Sequence, residues 1–241
     1  MRKLAAIGGI LVLAGCGGSG GESGERELIV YAASSLTDVF QELDTKAVFN
    51  FAGSDELATQ IREGAEADVY AAASQKYPIE LYGDRILEQP AIFAINRLVL
   101  IVPKDGEARV HSLVDLNQKG VKLVVGAKGV PVGDYTREVL AKAGEARILS
   151  RVVSEEDDVK GVLGKVALGE ADAGFVYATD AKAAGDDVRA IDLPDEIQVP
   201  IRYPVAVVAA TKRQEEAREF VELLLSDEGR RALENAGFGL P

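Results

Sequence analysis

Short runs of β-branched and aliphatic residues alternate along this chain with stretches whose apolar positions recur every three or four residues. The first kind predicts strands over 28–32, 47–51, 69–72, 97–102, 122–125, 147–153, 173–177 and 200–209. The second predicts helices over 36–43, 56–62, 113–117, 135–143, 156–168 and 215–225. Strands alternating with helices imply an α/β class, with parallel or mixed sheets covered by helices. No internal repeat is visible. Two strongly apolar runs, 97–103 and 203–208, carry prolines and read as strands that cross between two lobes. On that reading lobe I comprises 27–97 with 207–241, and lobe II comprises 98–206. The alternative is a single doubly wound domain.

The first residues form a separate pattern. Arg2 and Lys3 precede an apolar stretch, 4–14, that is too short to span a bilayer and reads as a signal peptide over 1–15. It ends in Leu13-Ala14-Gly15-Cys16, which resembles the lipobox of bacterial lipoproteins. The resemblance implies acylation of the Cys16 thiol and cleavage just before it. Residues 16–26 then read as the lipidated cysteine and a flexible Gly/Ser tether. The expected location is extracytoplasmic, anchored by lipid at the cell membrane.

Charge and the reactive side chains narrow the chemistry. With 27 Lys and Arg against 39 Asp and Glu, the chain carries a net charge of −12, which argues against nucleic acid as a partner. Cys16 is the only cysteine, so once it is acylated no disulfide, thiolate nucleophile or cysteine metal site remains. His111, the only histidine, sits in the polar stretch 104–112 and reads as a loop residue. No phosphate-binding loop or dinucleotide fingerprint is present. The carboxylates between Glu155 and Asp158 could in principle do acid–base work, but a helix N-terminus accounts for them. An enzyme on a two-lobed α/β fold is the competing class. The reading adopted is a binding protein without catalytic residues, cofactor or cation site.

Candidate binding chemistry lies where strands turn into helices. Ser34-Ser35-Leu36-Thr37-Asp38 follows the first strand, and Ser35 with Asp38 has capping-box spacing. A helix N-terminus at a strand end also presents unpaired N–H groups and a positive dipole end, which favour an anion. The pattern recurs at Gly53-Ser54, at Val130-Pro131-Val132-Gly133 and at Asp158-Val159, while Gly174-Phe175-Val176-Tyr177 ends a strand with a phenol. Ligands in α/β sheets sit beyond the carboxyl ends of strands.

These segments, with Val30-Tyr31-Ala32-Ala33-Ser34-Ser35-Leu36, Gly64-Ala65-Glu66-Ala67-Asp68-Val69, Gly169-Glu170-Ala171-Asp172-Ala173, Tyr203-Pro204-Val205-Ala206 and Ala236-Gly237-Phe238, occur in an order similar to that of the periplasmic molybdate-binding proteins of molybdate ABC transporters. The resemblance implies a type II periplasmic-binding-protein fold: two lobes, each a mixed sheet flanked by helices, joined by two crossing strands. It implies a monomer that passes molybdate or tungstate to a membrane ABC permease, with sulfate or another small anion as the alternative ligand. Its site residues, carried onto this chain, are the hydroxyls of Ser35, Ser54 and Tyr177 and the backbone N–H groups of Ser35, Ser54, Val132 and Val159. Asp55 and Glu56, directly after Ser54, are expected to face solvent, because carboxylates turned inward would repel an oxyanion.

Overall fold

The structure, a computed structural model, describes residues 27–44, 46–104 and 110–241. The signal segment, Cys16 and the tether lie outside the described residues. The strands are β1 (Ile29–Ala33), β2 (Val48–Ala52), β3 (Val69–Ala71), β4 (Ala91–Asn96), β5 (Leu98–Pro103), β6 (Leu123–Gly126), β7 (Val152–Glu156), β8 (Ala173–Tyr177), β9 (Val188–Asp192) and β10 (Ile201–Val207). The helices are α1 (Thr37–Leu43), α2 (Ser54–Arg62), α3 (Lys76–Gly83), α4 (Pro131–Lys142), α5 (Val159–Ala167), α6 (Ala178–Ala184), α7 (Gln214–Leu225) and α8 (Asp227–Ala236).

They build two five-stranded sheets, ordered β2-β1-β3-β10-β4 and β7-β6-β8-β5-β9. In the first, β1 is parallel to β2 and β3, while β10 runs antiparallel between β3 and β4. The second repeats the plan: β6 is parallel to β7 and β8, and β5 runs antiparallel between β8 and β9. Each sheet is therefore mixed. The parallel strands of each sheet end beside helix N-termini, and those ends of the two sheets face each other.

The chain crosses at Arg97, the single residue between β4 and β5, and returns between β9 and β10. The two crossings are tied together: the Gln198 side chain accepts from the Leu98 N–H at 3.2 Å and donates to the Leu98 carbonyl at 2.8 Å. The chain does not return at 207 as expected. Residues Ile201–Val207 pair with β3 and β4, so the whole strand belongs to the first sheet and the crossing precedes it. The cause is visible in the burial: β10 is an interior strand of the first sheet, and its apolar run is what a strand covered on both faces requires.

Other differences have equally local reasons. The strand expected over 147–153 is a 3-10 turn, Ala146–Arg151, followed by β7, and α5 starts at Val159 with Asp158 as its cap. Strands β4 and β9 were not anticipated. The first is separated from β5 by one residue, and the second is an edge strand with mostly exposed positions. Helix α8 was hidden by its polarity, since it buries only Gly229 and Leu233.

Burial is dense in both lobes. β5 and β8 are apolar and almost wholly buried. In the first lobe Phe40, fully buried on α1, meets Phe220 edge-on at 5.5 Å and lies 6.0 Å from both Phe49 and Phe93. Truncating a ring in such a cluster removes transfer energy and leaves a cavity. Phe40→Ala is expected to cost about 3–5 kcal/mol in denaturant unfolding. A loss below about 1 kcal/mol would mean that the first lobe's core is organised elsewhere.

Candidate functional site

The ends of β1, β2 and β8 and the N-termini of α2, α4 and α5 converge on one small cleft between the lobes. Ser34, Ser35, Gly53, Ser54, Ala73, Val130, Pro131, Val132, Asp158, Val159 and Tyr177 line it, and its cavity volume is only about 10 Å³. All of the residues carried over from the sequence resemblance thus meet in one place. Larger grooves on the first lobe, around Arg213, are open and lined by charges of both signs.

Each donor is shaped by its local structure. Ser35 lies in the 3-10 turn Ser34–Leu36 and makes no side-chain cap to α1, so its capping-box spacing is not used. Its Oγ instead lies 3.0 Å from the Tyr203 Oη. Ser54 opens α2 but does not cap it either; its Oγ accepts the Ala73 N–H at 3.0 Å. Both serines are buried, at 7% and 1% exposure. A buried serine hydroxyl that does not serve its own helix is free for a ligand.

The second lobe contributes backbone. Pro131 occupies the first position of α4 and has no N–H, so the donors of that helix begin at Val132. Val159 is the first residue of α5, whose cap Asp158 accepts the Gly161 N–H at 2.8 Å. That bond occupies the Asp158 carboxylate and leaves the Val159 N–H without an intrahelical acceptor. Tyr177 ends β8, and its Oη is buried with no hydrogen-bond partner. Burial pushes this phenol well above its ordinary 10.0, with Tyr203, Tyr135 and Asp180 adding to the shift, so it stays a neutral donor. None of the lining residues carries a cationic side chain. Among the described residues, no group of His, Cys, Asp and Glu side chains is placed to hold a metal ion.

The lobes stand closed over this cleft. The Tyr77 hydroxyl on α3 donates to the Gly129 carbonyl of the other lobe, Asn96 Nδ2 donates to Thr179 Oγ1 at 2.9 Å, and Lys160 pairs with Asp38 at 3.1 Å. Gly53 makes the approach possible, since a Cβ there would stand 2.5 Å from the Asp157 carbonyl oxygen. These contacts, and the support given by Tyr203 and Asn96, were not anticipated from the sequence. The only signal for them was the Tyr203-Pro204 run, taken there for a crossing strand.

Two buried carboxylate groups stand near the cleft, and one of them departs from expectation. Asp55 does not face solvent as expected: its Oδ1 is buried and unpartnered. Burial raises its pKa, opposed by the backbone N–H groups of Asp55 and Glu56, while Glu56 and Asp134 push it further up. Glu56 is exposed and accepts from Gln60. Asp180 on α6 is completely buried and 3.5 Å from Lys160. Burial pushes its carboxyl from an ordinary 3.8 to about 7, against the opposing pull of Lys160, with Asp38 raising it further.

A raised carboxyl pKa means that the folded state holds a proton the unfolded chain has released. The resulting stability is full below the ordinary 3.8 and is lost as pH rises to about 7. Asp180→Asn removes this dependence. Urea unfolding of parent and variant from about pH 4 to 8 should show the balance moving in the variant's favour as pH rises, whereas parallel curves would contradict the shift.

Comparison with known proteins agrees with the geometry. Over residues 28–239 the chain matches the family described as bacterial extracellular solute-binding protein. It is 35% identical over 233 residues to the molybdate-binding protein ModA of Mycobacterium tuberculosis, covering 92% of this chain and 88% of that one. YvgL of Bacillus subtilis, named as an ABC transporter substrate-binding lipoprotein, is 32% identical, with 98% of this chain and 96% of YvgL covered. Among solved structures, the Azotobacter vinelandii periplasmic molybdate-binding protein aligns with a TM-score of 0.80 at 22% identity, over 89% of this chain and 100% of that one, and so shares the two-lobed type II fold. With nearly all of its described length matched, the chain belongs to the bacterial extracellular solute-binding protein family.

Proposed function

We propose that this protein captures molybdate, with tungstate as its near-equivalent, outside the cytoplasm and delivers it to a membrane ABC permease. In this reading Cys16 anchors the chain by lipid, the monomer moves on its 16–26 tether, and lobe closure is the signal that the permease reads. The ligand is held by the hydroxyls of Ser35, Ser54 and Tyr177 and by the N–H groups of Ser35, Ser54, Val132 and Val159. The observation that carries the proposal is the Tyr177 Oη, a buried donor without a partner, in a cleft ringed by helix N-termini and lacking any cationic side chain. The names of ModA and YvgL point the same way.

The chemistry is consistent with such a ligand. A dianion leaving water loses a large hydration energy, and donors fixed beforehand replace it without paying for reorganisation. A site of donors alone also discriminates. Phosphate near neutral pH keeps a proton that needs an acceptor, whereas molybdate, tungstate and sulfate carry none, so phosphate would leave two hydrogens facing each other. Sulfate must be excluded by size.

A thermal-shift or calorimetric panel with molybdate, tungstate, sulfate and phosphate tests the assignment. Molybdate or tungstate at about a hundred times its dissociation constant should add ~2.7 kcal/mol of stability. Silence with both would refute it. Within the site, Tyr177→Phe should weaken molybdate binding by about 10- to 150-fold without unfolding the chain, the value of one hydrogen bond to a charged group. Ser54→Ala should weaken binding similarly but also destabilise the fold, because it strips the Ala73 N–H of its acceptor. Unchanged affinity in both would show the donors to be wrongly assigned.

A further inference from the structure

A hydroxyl can donate or accept, so a site that excludes protonated oxyanions must fix which of the two it does. Ser54 has this fixed by the backbone, because the Ala73 N–H occupies a lone pair of its Oγ and leaves the hydroxyl hydrogen for the cleft. Ser35 has no such amide behind it. Its neighbour is the Tyr203 Oη, 3.0 Å away, and that contact alone allows either group to donate.

The direction is decided one step further back. Asn96 Oδ1 accepts the Arg97 N–H at 2.9 Å, which orients the amide and turns Nδ2 towards Thr179 Oγ1 at 2.9 Å and Tyr203 Oη at a longer 3.4 Å. An amide nitrogen only donates, so Tyr203 accepts from Asn96. Tyr203 is fully buried, and the Ser35 Oγ is the acceptor within reach of its phenol hydrogen among the described residues. Tyr203 therefore donates to Ser35, and the Ser35 hydrogen is left for the cleft that Ser35 lines. Asn96, Tyr203 and Ser35 all sit on first-lobe elements, and closure adds the separate bond from Asn96 to Thr179 of the second lobe.

We propose that Asn96 and Tyr203 are specificity-determining positioning residues, which direct the Ser35 hydroxyl hydrogen to the cleft and thereby disfavour oxyanions that retain a proton. This rests on the oxyanion-binding reading above. Neither residue needs to touch the ligand. Their effect is on the contrast between a bare and a protonated dianion of equal charge.

Asn96→Asp inverts the chain. The new carboxylate accepts from Tyr203, Tyr203 then accepts from Ser35, and Ser35 turns a lone pair to the cleft. Competition between molybdate and phosphate at about pH 8, where phosphate is largely a dianion with one proton, reads this directly. Because both ligands are dianions, the charge added by Asp cancels in the ratio of their affinities. The preference for molybdate is expected to fall at least about tenfold in Asn96→Asp and by a smaller factor of roughly three in Tyr203→Phe, which frees Ser35 without inverting it. Tyr203→Phe keeps the ring packing and decides the matter if the Asp variant does not fold. If phosphate competes no better in the folded variants than in the parent, or if both ligands weaken equally, the polarity role is wrong. If the parent itself fails to bind molybdate, the failure belongs to the assigned ligand and not to this pair.

Discussion

Removing a doubly charged anion from water costs far more than any one hydrogen bond returns, and the arrangement of this protein follows from meeting that cost without a counter-charge. Backbone N–H groups at helix N-termini are the natural supply, because several of them are left unpaired by the helix itself and the macrodipole adds to their pull. A single helix offers too few in one direction. Two mixed sheets facing each other bring together the N-termini of α2, α4 and α5 and the turn after β1, so donors surround a point instead of lining one side of it.

Closure is what makes that convergence possible, and the details of the interface serve it. Gly53 is bare where the Asp157 carbonyl approaches, Tyr77 reaches across to Gly129, and Lys160 stands between Asp38 of one lobe and Asp180 of the other. The hinge itself is tight. The Gln198 side chain brackets the Leu98 backbone where the two crossings meet, so the lobes are joined by paired segments and not by a loose linker. Rigid lobes on such a hinge can distinguish an occupied cleft from an empty one by angle alone.

Much of this could be read from the sequence, for identifiable reasons. Apolar runs such as β5 and β8 betray themselves because a strand covered on both faces needs continuous hydrophobicity. Serines at strand-to-helix turns were visible as well; the spacing of Ser35 to Asp38 suggested a cap, yet neither Ser35 nor Ser54 caps its helix. What was not legible depends on partners far apart in the chain. Tyr203 lies 168 residues from Ser35, and its role appears only when β10 is seen between β3 and β4. The same holds for Asp55, whose position after Ser54 suggested a solvated carboxylate and whose Oδ1 is buried. Helix α8 carries a single large apolar residue, Leu233, too little for its narrow buried face to be recognised.

One closed cleft, built from hydroxyls and backbone amides, is proposed to hold the ligand. Crystals of the purified protein grown with molybdate or tungstate, examined by anomalous scattering at the metal edge, test it most directly. A single strong peak is expected, its oxygens about 2.7–3.0 Å from the hydroxyls of Ser35, Ser54 and Tyr177, with no Lys or Arg side chain in contact. A peak in the charged grooves around Arg213, or an empty cleft at saturating ligand, would contradict it.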